Sequence, residues 1–339
     1  MSMGKNNEER TASQLRKDLV SGTWVIFSTK RKNRPDLFKN KSKETSVVKE
    51  DLENCPFCGE NIKKQEEDTL IYAKRNGQWS LKVFPNKYPA FSNRSSDVNR
   101  REEGPFEIME AVGYHEVLVT ADHHKDIADM KTVQVAEILD AFQERYIALM
   151  NKKHIKYISI FKNYGSTAGA SVAHPHCQII AMPVIDPDVF RSLSGSEKYY
   201  ISHRECVHCV MIEWEKKARE RILFENDEFI VVCPFVSRVS FETRIYPKKH
   251  LSYFERITDE QKQKLAEAMK VGLSMLKKNL NNPHYNMFLH TSPCDGQTYD
   301  HYHWHFEIFP KTNVWAGLEL STGIEICSVT PEEAAEILR

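Results

Sequence analysis

The sequence predicts an α+β protein built from two tandem units, each with helices packed on an antiparallel sheet. Short apolar runs of alternating polarity recur along the chain and predict strands. Two capping boxes, Thr258 with Gln261 and Thr330 with Glu333, mark the starts of helices. A series running from a cysteine pair through strand and helix to a histidine-bearing strand occurs twice, which indicates an internal duplication.

Length, charge and cysteine content together exclude several classes of protein. The 339 residues suffice for one or two domains, and Lys+Arg and Asp+Glu both number 47, so no basic excess favours nucleic-acid binding. No apolar stretch is long enough for a membrane span or a signal peptide. Two Cys-x-x-Cys pairs without a secretion signal favour metal over disulfides. We therefore predict a cytoplasmic protein that binds neither nucleic acid nor membranes.

The first unit is expected to contain several strands and one long helix. Its predicted strands are Trp24–Phe27, Thr69–Ala73, Trp79–Phe84, Glu116–Thr120 and Tyr157–Lys162. An apolar stripe at helical spacing between Val135 and Met150 predicts the helix. The polar residues 36–54 are expected to form a surface loop.

The second unit repeats this order. Its predicted strands are Phe229–Cys233, Phe241–Tyr246, Asn286–His290 and His301–Pro310. The polar stretch Ser192–Ser196 is expected to be a linker between the units. The predicted domains are therefore residues 1–190 and 191–339.

The most informative stretch runs from Asn163 to Gln178 and continues into an apolar segment. Its small residues allow backbone N–H groups to approach an anion closely. If the apolar segment is a strand, His174, His176 and Gln178 share one face. Spacing alone leaves two interpretations open: a phosphate site beside a nucleophilic imidazole, or a pair of metal ligands.

Each unit has enough cysteines and histidines for a Cys2His2 zinc site, which predicts two zinc ions per chain. The predicted ligands of the first site are Cys55, Cys58, His124 and His174, and those of the second are Cys206, Cys209, His250 and His303. Other histidines fit on chemistry alone, namely His115, His123, His208, His301 and His305. The alternative for each pair is a reduced thiol pair at a turn. If His174 binds metal, His176 remains free to present an unprotonated nitrogen to substrate.

Several motifs together resemble a known family. They are Arg16-Lys-Asp-x-x-x-Gly-x-Trp24-Val, Arg31-x-x-Arg34-Pro, Cys55-Pro-Phe-Cys58, Phe84-x-Asn86, Asn163-x-Gly165 and Ser171-x-x-His-Pro-His-x-Gln178. With them the chain resembles galactose-1-phosphate uridylyltransferases, of the histidine-triad superfamily, over nearly its whole length. The resemblance implies two tandem histidine-triad-like units and a homodimer.

The resemblance also implies double-displacement nucleotidyl transfer. His176 would attack the α-phosphorus of a nucleotide sugar, release a sugar 1-phosphate and later pass the nucleotidyl group to a second phosphate. Gln178 occupies the position of a third histidine in hydrolytic relatives. An amide can donate hydrogen bonds but cannot act as a general acid, so glutamine suits transfer between phosphates better than hydrolysis.

By position in the family, further residues are expected at the substrate. Ser171 and the backbone of Gly169 and Ala170 would hold phosphate oxygens. The residues expected around the nucleotide are Arg31, Arg34, Phe84, Asn86 and Asn163, and Glu319 lies in the C-terminal loop expected to bind the sugar phosphate.

The chain departs from the family pattern in that loop. Leu318 replaces an aromatic residue, and Thr322-Gly323 stands where a glutamine is expected, as in plant relatives that phosphorolyse ADP-glucose. The second cysteine pair is also like those relatives, whereas some bacterial transferases use a carboxylate and histidines there, so iron is the alternative second metal. We therefore favour a UDP-glucose:hexose-1-phosphate uridylyltransferase acting on galactose 1-phosphate. The alternatives are a phosphorylase acting on ADP-glucose with orthophosphate and a non-catalytic, zinc-stabilised nucleotide-binding protein.

Overall fold

The computed structural model describes residues 13–33, 52–93 and 98–339. The strands are β1 (Gln14–Lys17), β2 (Trp24–Phe27), β3 (Leu70–Ala73), β4 (Trp79–Pro85), β5 (Arg100–Glu103), β6 (Phe106–Met109), β7 (Tyr114–Thr120), β8 (Tyr157–Tyr164), β9 (His176–Met182), β10 (Ile222–Glu225), β11 (Phe229–Val232), β12 (Thr243–Pro247), β13 (Tyr285–His290), β14 (His305–Pro310) and β15 (Ile326–Cys327). The helices are α1 (Thr132–Met150), α2 (Pro187–His203), α3 (Val207–Ala218), α4 (Asp259–Asn279), α5 (Gly317–Thr322) and α6 (Pro331–Leu338). Among the described residues, no helix is both long and apolar enough to cross a membrane.

The duplication appears as two halves of one antiparallel sheet. The ten strands lie in the order β10-β11-β12-β14-β13-β8-β9-β7-β4-β3. Read from its outer edge inward, the first half runs β3-β4-β7-β9-β8 and the second β10-β11-β12-β14-β13, so the strands correspond one to one. The long helices also correspond, because α1 lies between β7 and β8, and α4 between β12 and β13. The predicted tandem α+β units are confirmed, and the pairing of β8 with β13 joins their sheets into one.

The faces of this sheet have different roles. Side chains alternate along a strand, so paired residues of neighbouring strands share a face. Val83, Leu118 and Cys177 are paired across β4, β7 and β9 and belong to the large core beneath the long helices. The next residues along these strands point to the opposite face, which carries Gln178 beside Val117. That face holds the candidate site.

The segment between the units is helical, so the predicted linker at Ser192–Ser196 is wrong. It lies within α2, which begins at Pro187 and is capped by Asp186, whose carboxylate accepts from two backbone N–H groups of the first turn. Val189 and Leu193 are buried on one side of the helix. The small polar residues that suggested a linker are partly or fully buried in the helix, with Ser196 at 0% exposure and Gly195 packed against the backbone of Val20.

The N-terminal strands pack against the second unit. β2 pairs with β1 and, in parallel, with the C-terminal strand β15. Val25 and Phe27 form a small cluster with Val236. The Arg16 guanidinium makes two hydrogen bonds to Glu332, at 3.1 and 3.0 Å, which tie β1 to α6. Strands β1 and β2 therefore stabilise the second unit.

A buried ion pair lies beneath the candidate site, and its contribution to the free energy of unfolding can be tested. Lys162 is 2% exposed, with its Nζ 3.0 Å from Asp126 Oδ1 and 3.4 Å from the backbone oxygen of His176. We expect Lys162→Met to lower the free energy of unfolding by about 3–5 kcal/mol, because it leaves a buried carboxylate unpaired. Urea denaturation measures this. Lys162→Met/Asp126→Asn is the matched control, and equal losses in the single and double variants would contradict the explanation.

Candidate active site

Four potential metal ligands from three segments of the first unit meet beside β9. Cys55 and Cys58 lie in a turn that Gly59 (φ +52°) continues, His123 follows β7, and His174 precedes β9. The Cys58 sulfur is 3.2 Å from His123 Nδ1 and 3.3 Å from His174 Nδ1. The four ligand atoms all lie within 4.8 Å of one another, close enough for one ion.

The structure corrects one predicted member of this cluster. His123, and not His124, turns towards the cysteines, while the ring of His124 stacks edge-on against that of His123 at 4.8 Å. The two residues follow the end of β7 in a segment without regular structure. No periodicity decides there which of two adjacent side chains faces inward, so spacing favoured neither.

The second cluster brings together the four residues predicted from sequence: Cys206, Cys209, His250 and His303. Cys206 immediately precedes α3, which places Cys209 in the first turn of that helix. The Cys209 sulfur is 3.5 Å from His250 Nδ1 and 3.6 Å from His303 Nδ1. This geometry repeats that of the first cluster.

Both clusters fit a cation that binds sulfur and imidazole. His174, His250 and His303 each donate Nε2–H to a backbone oxygen, at 2.8, 2.6 and 2.9 Å, which leaves each Nδ1 facing the thiols. Hydrogen bonding between the thiols of the second pair lowers the pKa of Cys206 and raises that of Cys209. The thiolate form of Cys206, which is the form that binds a cation, is thereby favoured.

His176 is the imidazole at the centre of the site. Its Nδ1 lies 2.9 Å from the backbone oxygen of His174, to which it donates, and the edge of the Phe57 ring packs on it at 5.5 Å. Burial lowers the pKa of His176 to about 4, so the ring is neutral near pH 7. With Nδ1 protonated, Nε2 carries the lone pair, as a nucleophile requires.

Gln178 and two of the nucleotide candidates, Phe84 and Asn163, lie on the same face of the sheet as His176. Gln178 Oε1 is 2.8 Å from His115 Nε2. The Asn86 backbone N–H donates to the His115 backbone oxygen at 2.7 Å, and Asn163 Oδ1 accepts from an asparagine amide of β13. Phe84 is 1% exposed and packs against Phe57, so in this chain it supports the site from within the core.

The glycine loop before β9 is closed on itself. Gly165 has a φ of +82°, and a Cβ there would lie 2.1 Å from the His284 ring, so only glycine fits. The N–H groups of Gly169 and Ala170 donate to oxygens within the loop, at 3.0 and 3.2 Å. In this conformation both N–H groups are therefore bonded within the loop, and their expected contact with a phosphate stays a prediction. Ser171 beside them is exposed and makes no hydrogen bond to another described residue.

Three predicted substrate contacts lie elsewhere or are not described. Arg31 is exposed in a short turn after β2, and Arg34 falls outside the described residues. Glu319, on α5, accepts a hydrogen bond from the Ala316 N–H at 3.0 Å and lines a cavity of about 340 Å³ in the second unit. The structure does not place Glu319 beside His176 of the same chain.

That cavity lies at the counterpart of the His176 site. His303-x-His305-x-Glu307 matches His174-x-His176-x-Gln178, and His305 Nδ1 is 3.1 Å from the backbone oxygen of His303. Here, however, Glu307 lies 3.2 Å from His305 Nε2 and 3.1 Å from Arg244. Burial alone would raise the pKa of Glu307, but Arg244 and the nearby imidazoles hold it below its usual range. An ionised carboxylate in front of Nε2 would repel a phosphate, so this half lacks the nucleophile arrangement.

Comparisons with known proteins place this geometry in one family. Residues 4–186 match the sequence model of the galactose-1-phosphate uridyl transferase N-terminal domain, and residues 192–339 that of its C-terminal domain. An ADP-glucose phosphorylase from Arabidopsis thaliana is 33% identical, covering 98% of this chain and 93% of that protein. A galactose-1-phosphate uridylyltransferase from Thermotoga maritima is 30% identical, covering 96% and 98%. The crystal structure of an Arabidopsis thaliana ADP-glucose phosphorylase with bound ADP-glucose superimposes with a TM-score of 0.83 at 31% identity, over 97% of this chain and 99% of that one.

Proposed function

The chain belongs to the galactose-1-phosphate uridylyltransferase family, and from this membership we propose that it is a nucleotidyltransferase with a covalent intermediate on His176. One observation carries the proposal for this residue. His176 is buried, its pKa is lowered to about 4, and its Nδ1 donates to the His174 backbone oxygen. The ring is therefore held as the neutral tautomer with its lone pair on Nε2.

The proposed reaction consists of two displacements at phosphorus. The Nε2 lone pair forms a bond to the α-phosphorus of a nucleotide sugar, and the bond from that phosphorus to the bridging oxygen breaks. The sugar 1-phosphate leaves with the electron pair as a phosphate and needs no proton. An oxygen of the acceptor phosphate then attacks the same phosphorus and displaces Nε2. Nδ1–H stays on the His174 oxygen throughout and stabilises the positive charge on the substituted ring.

Gln178 is proposed to stabilise charge on the phosphoryl oxygens through its amide N–H groups. It follows His176 by two residues on β9 and therefore lies on the same face. Ser171 is exposed beside the loop and is proposed as a further donor. Asn86 and Asn163 are proposed to contact the nucleotide.

Two acceptors are supported. We favour transfer of uridylyl from UDP-glucose to a hexose 1-phosphate such as galactose 1-phosphate, as in the relatives named for that activity. The second candidate is phosphorolysis of ADP-glucose by orthophosphate. It is supported by the Arabidopsis ADP-glucose phosphorylase, which superimposes over nearly the whole chain, and by Thr322-Gly323 at the end of α5.

We propose that each Cys2His2 cluster binds zinc, with iron as the alternative in the second. Zinc would crosslink the loops around each site. We further propose a homodimer in the cytoplasm, in which Arg31 and Glu319 act at the His176 site of the partner. Their positions away from His176 of their own chain support this arrangement.

The test uses UDP-glucose and ADP-glucose, each labelled in its α-phosphate. After incubation and denaturation, label should remain on the protein with one of them. Galactose 1-phosphate or orthophosphate is then added to the labelled native enzyme. Discharge by galactose 1-phosphate supports the favoured function, and discharge by orthophosphate alone supports the second. Absence of label with both nucleotides, in protein of full metal content, would overturn the proposed chemistry.

A further inference from the structure

A chain of hydrogen bonds leads from the backbone to the amide of Gln178. The backbone N–H of Ala90 donates to Nδ1 of His115 at 3.1 Å. On the other side of the ring, Nε2 lies 2.8 Å from Gln178 Oε1. His115 is on β7 and Gln178 on β9, in diagonal positions on the face that carries His176.

These contacts fix the protonation of the ring. A backbone N–H can only donate, so Nδ1 of His115 must be the acceptor. In the neutral ring the proton is then on Nε2, which must donate to Gln178. Asn86 Nδ2 also lies 3.1 Å from Nε2, while Asn86 Oδ1 accepts from the Tyr88 N–H at 2.9 Å. That nitrogen is itself a donor and cannot accept from Nε2–H, so in this tautomer Gln178 Oε1 is the acceptor for the ring proton.

The orientation of Gln178 follows from the tautomer of His115. Once Oε1 is held by His115, the two N–H groups of the amide are the part left to face a ligand. With the amide rotated by half a turn, its oxygen would face the phosphoryl oxygens and repel them. His115 is 9% exposed and burial lowers its pKa, which favours the neutral form that this arrangement needs.

We propose that His115 is a positioning residue that holds the Gln178 amide with its donors towards the transferring phosphoryl group. This inference rests on the proposed function and adds a residue to it. His115 lies outside both cysteine clusters, so the sequence-based alternative of a metal ligand does not apply among the described residues. The neighbouring positions on this face of β7 are Val117 and Val119, which shows that the sheet accepts apolar residues there.

A double-mutant cycle tests the proposal. Gln178→Ala should slow formation of the nucleotidyl-histidine by about 10²–10³-fold, the usual loss for one donor to a developing oxyanion. His115→Phe keeps the ring but removes the hydrogen bonds, and should slow the same step by about 10–100-fold, as for other orienting groups. Because His115 acts only through Gln178, the double variant should be no slower than Gln178→Ala. The KM for the nucleotide sugar should stay near the wild-type value, since the loss is in the transition state.

Two further variants separate positioning from structure. His115→Gln retains a side-chain donor of similar reach and should recover part of the rate. If only packing mattered, His115→Gln would be no faster than His115→Phe. His203→Phe, on the exposed side of α2, is the matched control and should behave as wild type. Thermal unfolding and metal content are measured for every variant.

Full additivity of the two losses, or a wild-type rate for His115→Phe, would overturn the proposal while leaving covalent catalysis by His176 in place. Failure of the wild-type enzyme to become labelled would instead refute the proposed function. The two kinds of failure are therefore distinguishable.

Discussion

Replacing His176 with alanine is expected to abolish covalent labelling and to reduce turnover by about 10⁴-fold or more, as for loss of other enzymatic nucleophiles. The reason is that no other described imidazole on this face both has a free Nε2 and lies beside Gln178. His115 donates its Nε2–H to Gln178, and the Nδ1 of His174 faces two thiols. Labelling with nucleotide sugar followed by gel electrophoresis measures the effect.

The counterpart His305 provides a matched control from the same chain. It has the same contact of Nδ1 to the preceding histidine, but Glu307 lies in front of its Nε2. His305→Ala should therefore still be labelled, and metal content should be unchanged in His176→Ala. Loss of one metal ion per chain from His176→Ala would show that the roles of His174 and His176 had been exchanged. Persistent labelling of that variant would exclude His176 as the nucleophile.

The second large effect is expected from disruption of the proposed first metal site. Cys58 contacts both histidines of its cluster, and Cys209 does the same in the second. We expect Cys58→Ala to lose one metal ion per chain and to slow labelling by about 10–100-fold, because groups that orient a reacting residue typically contribute that much. Without the cluster the side chain of His174 is no longer fixed. Its own backbone oxygen, which accepts from His176 Nδ1, then no longer orients that ring.

Cys209→Ala is the comparison for this prediction. It should also lose one metal ion per chain and lower the midpoint of thermal unfolding, but with a smaller effect on labelling, because its cluster orients His305. Elemental analysis, thermal unfolding and the rate of labelling are measured together. Equal losses of labelling in both variants would show that the first cluster acts through overall stability and does not specifically orient His176.

Local patterns in the sequence predicted much of the fold. The capping box at Thr258 opens α4, the apolar stripe from Val135 forms α1, and most strand bounds agree within one or two residues. The cysteine pairs were recognisable because the two cysteines of each pair are only three residues apart. The predicted strand from His301 begins at His305, since the residues before it form the loop that brings His303 to the second cysteine pair.

What the sequence did not predict depends on contacts between distant residues. The link from Ala90 through His115 to Gln178 joins three segments, and only the sheet register brings them together. His115 was a candidate only as a metal ligand, because its chemistry allows that role and spacing alone does not exclude it. The positions of Arg31 and Glu319 depend on how the three-stranded sheet of β1, β2 and β15, and the helix α5, pack on the second unit.

The pairing of β8 with β13 has a consequence for the origin of the chain. A single unit of five strands would expose β8 as an open edge, with backbone donors and acceptors in register for another strand. The simplest way for such a unit to cover its edge is to pair with an identical copy. Fusion of the copies turns an encounter that depends on protein concentration into an intramolecular contact. With both copies in every molecule, the two histidine strands need not be alike: one carries Gln178 after its second histidine, and the other carries Glu307.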